Sequence, residues 1–154
     1  MWNKIKHYVI FILIALGTGG LSALLTKGNM EIYDEISRPL LSPPSFVFPV
    51  VWTILFILMG ISSARIYKSG DSRKNEALFV YFLQLGVNFF WSIFFFNLQA
   101  FFFSFVWIII LLVLIIYMIF LFYRIDKPAG LLQMPYLLWV IFATYLTFMI
   151  YLLN

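Results

Sequence analysis

The sequence has no cysteine, one histidine (His7) and only 10% charged residues. The absence of cysteine excludes a disulfide framework, thiolate catalysis, zinc–thiolate sites and iron–sulfur clusters. One histidine gives no pair for a histidine-based metal site, so no metal site is predicted. None of the six carboxylates lies inside a long apolar run. A Ser–His–acid triad, a paired-carboxylate hydrolase and an ion-coupled pump therefore lack the groups they need.

The chain is instead dominated by apolar side chains, which make up 64% of its 154 residues, and 21% of its residues are aromatic. Soluble domains are about 45–50% apolar and about 25% charged. A chain this short cannot bury such an excess in its own core, so the sequence predicts a lipid bilayer as its main surrounding. The net charge of +4 forms no basic stripe, and nucleic acid is not a predicted partner.

Five apolar runs predict five membrane-crossing helices in one membrane domain over residues 1–154. The predicted spans are residues 6–26, 45–67, 77–97, 100–123 and 130–153. The third and fourth come from one uncharged stretch of 47 residues, Ala77–Tyr123, which as a single helix would be roughly 70 Å long, over twice the thickness of a bilayer core. It must therefore turn, and Asn97-Leu98-Gln99 is the polar interruption. Because these runs lack apolar/polar alternation, the predicted fold class is an all-α integral membrane protein, a five-transmembrane-helix bundle.

The basic residues in the connections between the spans predict how the chain is oriented in the membrane. The side that carries the N-terminus and the second and fourth connections has eight lysines and arginines, whereas the other side has only Lys27 and Arg38. The positive-inside rule then places the N-terminus in the cytoplasm and the C-terminus outside, in a multi-pass protein of the cell membrane. The first span begins like a signal peptide, but it is too long for one and no Ala-x-Ala site follows, so we expect it to be retained.

The outer loop, residues 27–44, is the only long connection. Loops of this length without regular structure are usually lids or binding loops. The sequence therefore favours a pocket in the outer half of the bundle, beneath this loop. Pro49, one turn into the second span, predicts a slight kink there.

Polar residues inside the spans concentrate on one face of the third span, where Gln84, Asn88 and Ser92 recur at every fourth position with Trp91 and Phe95 beside them. This stripe either forms interhelical hydrogen bonds, each worth roughly 1 kcal/mol in a membrane, or supplies the polar groups of a cavity. Asn88 is the strongest candidate, because it lies deep and carries both a donor and an acceptor.

Three further faces carry aromatic or small side chains, and each could serve either helix packing or a cavity: Phe48, Trp52 and Phe56; Trp139, Ala143 and Leu146; and Gly19 with Ser22. Taken together, they describe an uncharged cavity walled by aromatic rings, which suits a flat and largely apolar molecule. The phenylalanine runs at 94–96 and 101–103 are predicted to fill lipid-facing and packing positions.

Several motifs in chain order resemble the translocator-protein family, the tryptophan-rich sensory TspO proteins, also called peripheral benzodiazepine receptors. They are Arg38-Pro39 through Ser42-Pro43-Pro44, Phe48-Pro49-x-x-Trp52-Thr53, Gln84 with Asn88 and Trp91-Ser92, and Pro135-Tyr136-x-x-Trp139. The resemblance covers nearly the whole chain and implies a bacterial member, a five-helix bundle that is commonly a homodimer, and a pocket capped by the first long loop.

The resemblance also implies ligands and site residues. Family ligands are tetrapyrroles such as protoporphyrin IX, isoquinoline and benzodiazepine drugs, and in animals cholesterol. By matching motif positions, the pocket would be lined by Tyr33, Pro43, Trp52, Phe56, Asn88, Trp91, Trp139 and Ala143. Trp52 and Trp139 would flank the porphyrin as reactive partners. No cofactor is required, because the pigment with light and oxygen supplies the chemistry.

Three functions are consistent with this reading: light-dependent oxidative degradation of a bound tetrapyrrole, passive transport of porphyrins or similar lipophiles, and a ligand-occupancy sensor or scaffold. Whether the first should be called an enzyme stays open. Cholesterol recognition by the animal pattern is not supported, because no basic residue follows Tyr151.

Overall fold

Helices account for nearly all of the chain in the computed structural model, which describes residues 1–29 and 31–154. In order they are α1 (Trp2–Thr26), a 3₁₀ turn (Lys27–Asn29), α2 (Ile32–Glu35), α3 (Val47–Tyr67), α4 (Lys74–Ser92), a π-helical turn (Ile93–Asn97), α5 (Phe101–Ile125), α6 (Lys127–Leu132) and α7 (Met134–Leu153). Within these described residues, five helical stretches are long and apolar enough to cross a membrane. The prediction of an all-α, five-transmembrane-helix bundle is confirmed.

The element boundaries differ from the sequence expectation in three places. The last predicted span, 130–153, is divided at Gln133 into α6 and α7, because Pro135 lacks an amide donor and is accommodated in the first turn of a new helix. The outer loop contains the 3₁₀ turn and α2. Pro49 needs no kink, since α3 begins at Val47 and the proline lies in its first turn.

The five long helices form a ring. α1 packs against α3 and α4, α4 against α5, and α5 against α7. The ring closes between α3 and α7 through aromatic contacts, with Phe48 and Trp139 centroids 5.7 Å apart and Trp52 and Tyr136 centroids 6.2 Å apart. We call the end that carries residues 27–46 and the C-terminus the loop end, and the opposite end the amino-terminal end.

The amino-terminal half of the bundle is solidly packed. Its centre holds fully buried side chains from three helices, including Met59, Tyr81, Met118 and Phe122. The ion pair Arg65–Asp126 ties α3 to the start of α6, with Nε to Oδ2 at 2.6 Å and Nη2 to Oδ1 at 3.2 Å. Tight packing here leaves the other half of the bundle, beneath the loop, as the region where a cavity forms.

The short turn between α3 and α4 is organised by Asp71. Its carboxylate accepts hydrogen bonds from the Arg73 side chain at 3.0 Å and from the Arg73 backbone N–H at 2.8 Å. These bonds lower the pKa of Asp71 to about 2. Because the folded pKa lies below the unfolded value, this stabilisation is present at neutral pH and is lost as the pH falls from about 4 towards 2.

Gly60 marks the closest approach of α1 and α3. A Cβ atom built on Gly60 would lie 2.4 Å from the Ile12 Cα atom, which is backbone and cannot rotate away. We expect Gly60→Ala to force the two helices apart and to lower the free energy of unfolding by about 1–3 kcal/mol. Thermal unfolding in detergent micelles measures this effect.

The matched control for that substitution is Gly17→Ala on α1, where an added Cβ meets no atom within 4 Å among the described residues. This change should leave the melting temperature unchanged or raise it slightly, because alanine is the better helix former. Equal melting temperatures for the two variants would contradict the close α1–α3 packing.

Candidate functional site

A cavity of about 280 Å³ lies in the loop half of the bundle, between α1, α3, α4 and α7. Its wall is mostly apolar and carries no charged side chain among the residues that the structure describes. The lining residues are Leu16, Thr18, Gly19, Gly20, Ser22, Ala23, Thr26, Tyr33, Phe48, Pro49, Trp52, Thr53, Phe56, Asn88, Phe89, Trp91, Ser92, Phe95, Phe96, Trp139, Ala143, Leu146, Thr147 and Ile150.

The aromatic walls are built from interlocking ring pairs. On α3, Trp52 and Phe56 lie one turn apart and stack with centroids 5.5 Å apart. Trp139 of α7 meets the edge of Phe48 across the α3–α7 seam. These contacts fix the orientations of the rings and give the cavity flat walls suited to aromatic stacking.

The π-helical turn completes the wall beside α4. Trp91 stacks on Phe95 at 5.1 Å, and Phe96 also lines the cavity. Phe95 and Phe96 lie within this turn, each four positions after a lining residue of α4, Trp91 or Ser92. Phe95 was expected beside the polar stripe, and it lines the cavity there; Phe96 also lines it, so for Phe96 the prediction that the run 94–96 fills packing and lipid-facing positions is corrected.

The floor carries the cavity's only amide side chain, Asn88, within the described wall. Its Nδ2 donates to the Tyr136 hydroxyl at 2.7 Å, and that hydroxyl donates to Gln84 Oε1 at 2.7 Å. Gln84 and Tyr136 are essentially inaccessible to solvent, at 0% and 1% exposure. The polar stripe of α4 thus serves both of the roles considered above: Asn88 faces the cavity, and Gln84 forms an interhelical hydrogen bond.

Tyr33 closes the cavity from above. Its ring is 4% exposed and meets the edge of Phe48 at 4.9 Å. Its hydroxyl donates to the Pro43 carbonyl at 2.8 Å, which draws the two halves of the loop together. The Arg38 guanidinium lies 4.4 Å from the Tyr33 ring centroid on the same lid, an arrangement that stabilises the ring by a cation–π interaction.

The cavity opens sideways, between α1 and α3. The exposed residues of its lining all lie on these two helices: Gly20 and Ala23 on α1, and Pro49 and Thr53 on α3. The helices touch at Gly60 and again where Phe56 covers Gly19, and beyond that point they leave a window. In a membrane-spanning bundle this window faces the surrounding lipid.

The structure brings most of the sequence-predicted site residues around this one cavity. Lining it are Trp52, Trp139, Gly19, Ser22, Tyr33, Phe48, Phe56, Asn88, Trp91, Ala143 and Leu146. Two predicted residues lie outside the wall. Gln84 is one helical turn too deep and is separated from the cavity by the Asn88–Tyr136 contact, and Pro43 contributes its backbone carbonyl to the lid rather than a side chain to the wall.

Tyr136 is the principal residue that the reading of the sequence did not assign to the site. It belongs to the quoted Pro135-Tyr136 motif, but in an apolar helix a tyrosine can equally be a packing residue. Only the three-dimensional arrangement shows that it contacts both Asn88 and Trp52.

The cavity offers aromatic stacking surfaces, hydrogen-bond acceptors and donors, and a mostly apolar wall. Across the described part of the chain, no cluster of three histidine, cysteine or acidic side chains comes together. The described wall of the cavity likewise carries no carboxylate, histidine, lysine or arginine side chain. The cavity is therefore suited to hold a flat aromatic molecule that brings its own reactivity.

The lid bond of Tyr33 gives a testable consequence. Tyr33→Phe keeps the ring packing and removes the hydrogen bond to Pro43, worth about 1 kcal/mol. We expect a bound aromatic ligand to dissociate about fivefold faster from this variant in stopped-flow measurements. Tyr145→Phe, on the exposed face of α7, is the control and should not change the rate. Identical dissociation rates in both variants would show that the lid does not retain the ligand.

The sequence is similar to known membrane proteins over nearly its whole length. The sequence model described as the TspO/MBR family matches residues 9–153. The chain is 39% identical over 147 residues to the tryptophan-rich protein TspO of Chlorobaculum tepidum, covering 94% of this chain and 92% of that protein. It is 37% identical to the protein of the same name from Archaeoglobus fulgidus, covering 98% and 99% of the two chains. The translocator protein of Bos taurus is 28% identical, covering 89% and 83%.

Proposed function

Because this chain belongs to the TspO/MBR family, a family of membrane receptor-like proteins, we propose that it binds tetrapyrroles such as protoporphyrin IX and promotes their light-dependent oxidative degradation. The observation that carries the proposal is the uncharged aromatic cavity with Trp52 and Trp139 in its walls and one amide, Asn88, at its floor. Flat apolar rings gain stacking and burial there, and the single amide orients them.

The size of the cavity specifies how a large ring would bind. At about 280 Å³ the cavity lies near the lower limit for small-molecule sites, about 300–1,000 Å³. It suits a drug-sized bicyclic or tricyclic molecule, so isoquinoline- and benzodiazepine-type compounds are proposed ligands. A tetrapyrrole would enter edge first and extend through the window between α1 and α3.

The proposed chemistry comes from the pigment. An excited porphyrin can transfer energy to dioxygen, and the singlet oxygen formed adds to the ring. Alternatively it accepts one electron from an indole and passes that electron to dioxygen, which becomes superoxide. The indole radical cation then recovers an electron from the porphyrin, and the resulting porphyrin radical cation combines with superoxide, so that dioxygen is the net oxidant and the indole is restored. Trp52 and Trp139 are the proposed electron donors. The protein's contribution is to hold the pigment beside these indoles and to exclude water, so no resident cofactor or classical acid–base group is needed.

Passage through the whole bundle is less well supported than binding. Below Asn88 the interior is filled by the fully buried residues Tyr81 and Met59 and by Tyr136 at 1% exposure. A porphyrin transported across the bilayer would have to displace this packing. The homodimer, the cell-membrane location and the cytoplasmic N-terminus also stay proposals, and the eight-to-two distribution of lysine and arginine supports the last of them.

Binding can be tested by tryptophan fluorescence quenching during titration with protoporphyrin IX in detergent micelles. Three of the five tryptophans line the cavity: Trp52, Trp91 and Trp139. We expect saturable quenching that persists in Trp107→Phe, because Trp107 lies outside the wall and donates to the Val87 carbonyl at 2.7 Å. Quenching that never saturates would show that the pigment only partitions into the micelles, and it would contradict the proposal.

A further inference from the structure

The threonine hydroxyl groups on the cavity wall already donate their protons to the helix backbone. Thr18 donates to the Ile14 carbonyl at 2.9 Å. Thr53 and Thr147 donate to the carbonyls four residues earlier, each at 2.7 Å. This local bonding is common for threonine in helices. What each of these side chains can still offer an occupant is an oxygen lone pair, that is, a hydrogen-bond acceptor.

The orientation of the Asn88 amide is set by two residues behind it, Tyr136 and Gln84, which also direct an acceptor towards the cavity. A tyrosine hydroxyl has one proton, and the hydroxyl of Tyr136 gives it to Gln84 Oε1 at 2.7 Å. Its oxygen therefore accepts from Asn88 Nδ2, also at 2.7 Å. Nδ2 thus commits one of its two hydrogens to Tyr136, and Oδ1 is the acceptor that Asn88 offers to the cavity. Reversing the chain of hydrogen bonds would require both amides to turn over together.

The wall also contains donors, but they are less accessible. The indole N–H groups of Trp91 and Trp139 are enclosed by surrounding atoms and, among the described residues, contact no acceptor. Ser22 and Ser92 add hydroxyls that can act in either sense. The threonine oxygens and Asn88 Oδ1 are therefore the acceptors that this wall offers to an occupant.

We propose that Tyr136 is a positioning residue that, braced by Gln84, fixes Asn88 as a hydrogen-bond acceptor, so that the cavity selects flat aromatic ligands carrying an N–H donor. The proposal rests on the binding function proposed above and refines its ligand class. The compounds to which this selection applies are bicyclic and tricyclic molecules with an N–H on the ring edge, because the N–H groups of a porphyrin point into the centre of the macrocycle and do not reach Asn88 when the ring enters edge first.

A pair of isosteric tricyclic compounds tests the selectivity directly. Carbazole carries one N–H donor, and dibenzofuran has the same shape with an ether oxygen in place of the N–H. Equilibrium binding of each is measured in micelles, with the cavity-filled variant Ala143→Trp as the blank for partition into detergent. We expect wild type to bind carbazole about fivefold more tightly, the effect of one hydrogen bond.

Tyr136→Phe should reduce this preference to about onefold, because the released amide can turn either way. Carbazole binding should weaken about fivefold, while dibenzofuran binding changes less than about twofold. Gln84→Met is a second variant, in which Tyr136 loses the acceptor of its proton, and it should also reduce the preference. Tyr145→Phe on the exposed face of α7 is the control and should retain it.

The outcomes separate the possibilities. Equal weakening of both compounds in Tyr136→Phe would mean that Tyr136 only supports packing, which would overturn the proposal. A wild-type preference for dibenzofuran would also overturn it and would assign ligand selection to the indole donors of Trp91 and Trp139. Equal binding of the two compounds would overturn it as well, because the cavity would then not distinguish a donor from an acceptor. A protein that shows the carbazole preference but does not accelerate pigment loss would leave this inference standing and refute only the degradation function.

Discussion

Replacing Ala143 by tryptophan should weaken binding of protoporphyrin IX at least about 100-fold, equivalent to a loss of about 2.7 kcal/mol. Ala143 is 6% exposed and lies on the cavity wall of α7. An indole placed there would occupy much of the 280 Å³ that a ligand needs. The cavity provides the space for the new side chain, so the fold should tolerate it and the melting temperature should change little.

The control for this substitution is Tyr145→Trp, two residues further along α7, where the side chain is 38% exposed on the outer surface. This variant adds an indole to the same helix without filling the cavity, and its affinity should match that of wild type within about twofold. Undiminished binding in Ala143→Trp would place the pigment somewhere else on the protein.

The second large effect concerns the reaction rather than binding. Trp52→Phe and Trp139→Phe keep aromatic walls but remove the readily oxidised indoles. We expect each to slow light-dependent pigment loss several-fold and the double variant to slow it at least about tenfold, equivalent to about 1.4 kcal/mol in the barrier. Affinity should fall only about threefold or less, because phenylalanine still stacks. The rate is followed as pigment absorbance under constant illumination at saturating protein.

Trp107→Phe is the matched control, since it removes an indole that lies outside the cavity wall. Its rate should equal that of wild type. An unchanged rate in the double variant would exclude electron donation by Trp52 and Trp139 and would leave energy transfer to oxygen as the route.

The general fold follows from the sequence because hydrophobic run length alone limits what a chain can do in lipid. The stretch Ala77–Tyr123 has to turn, and the structure turns at its polar interruption, with Gln99 in a left-handed conformation at φ 50°. The break between α6 and α7 is harder to predict from the sequence. Gln133 and Pro135 lie at the edge of an apolar run that is long enough to be a single membrane-spanning helix.

The sequence predicts which helix faces line the site, but it does not predict how far along each helix the cavity extends. A spacing of four residues places Gln84 and Asn88 on one face of α4, yet it does not show where the cavity ends and the core begins. The structure places that boundary between them, at Tyr136. The π-helical turn at residues 93–97 is not visible in the sequence either, because an argument from periodicity assumes a constant helical register.

The most direct test of the proposed function is the rate of protoporphyrin IX loss under light and oxygen, compared among wild type, Ala143→Trp and pigment in micelles without protein. Dark and oxygen-free samples provide the background. Degradation in the cavity predicts rapid loss with wild type and loss at the protein-free rate with Ala143→Trp. Equal rates in all three illuminated samples would contradict it.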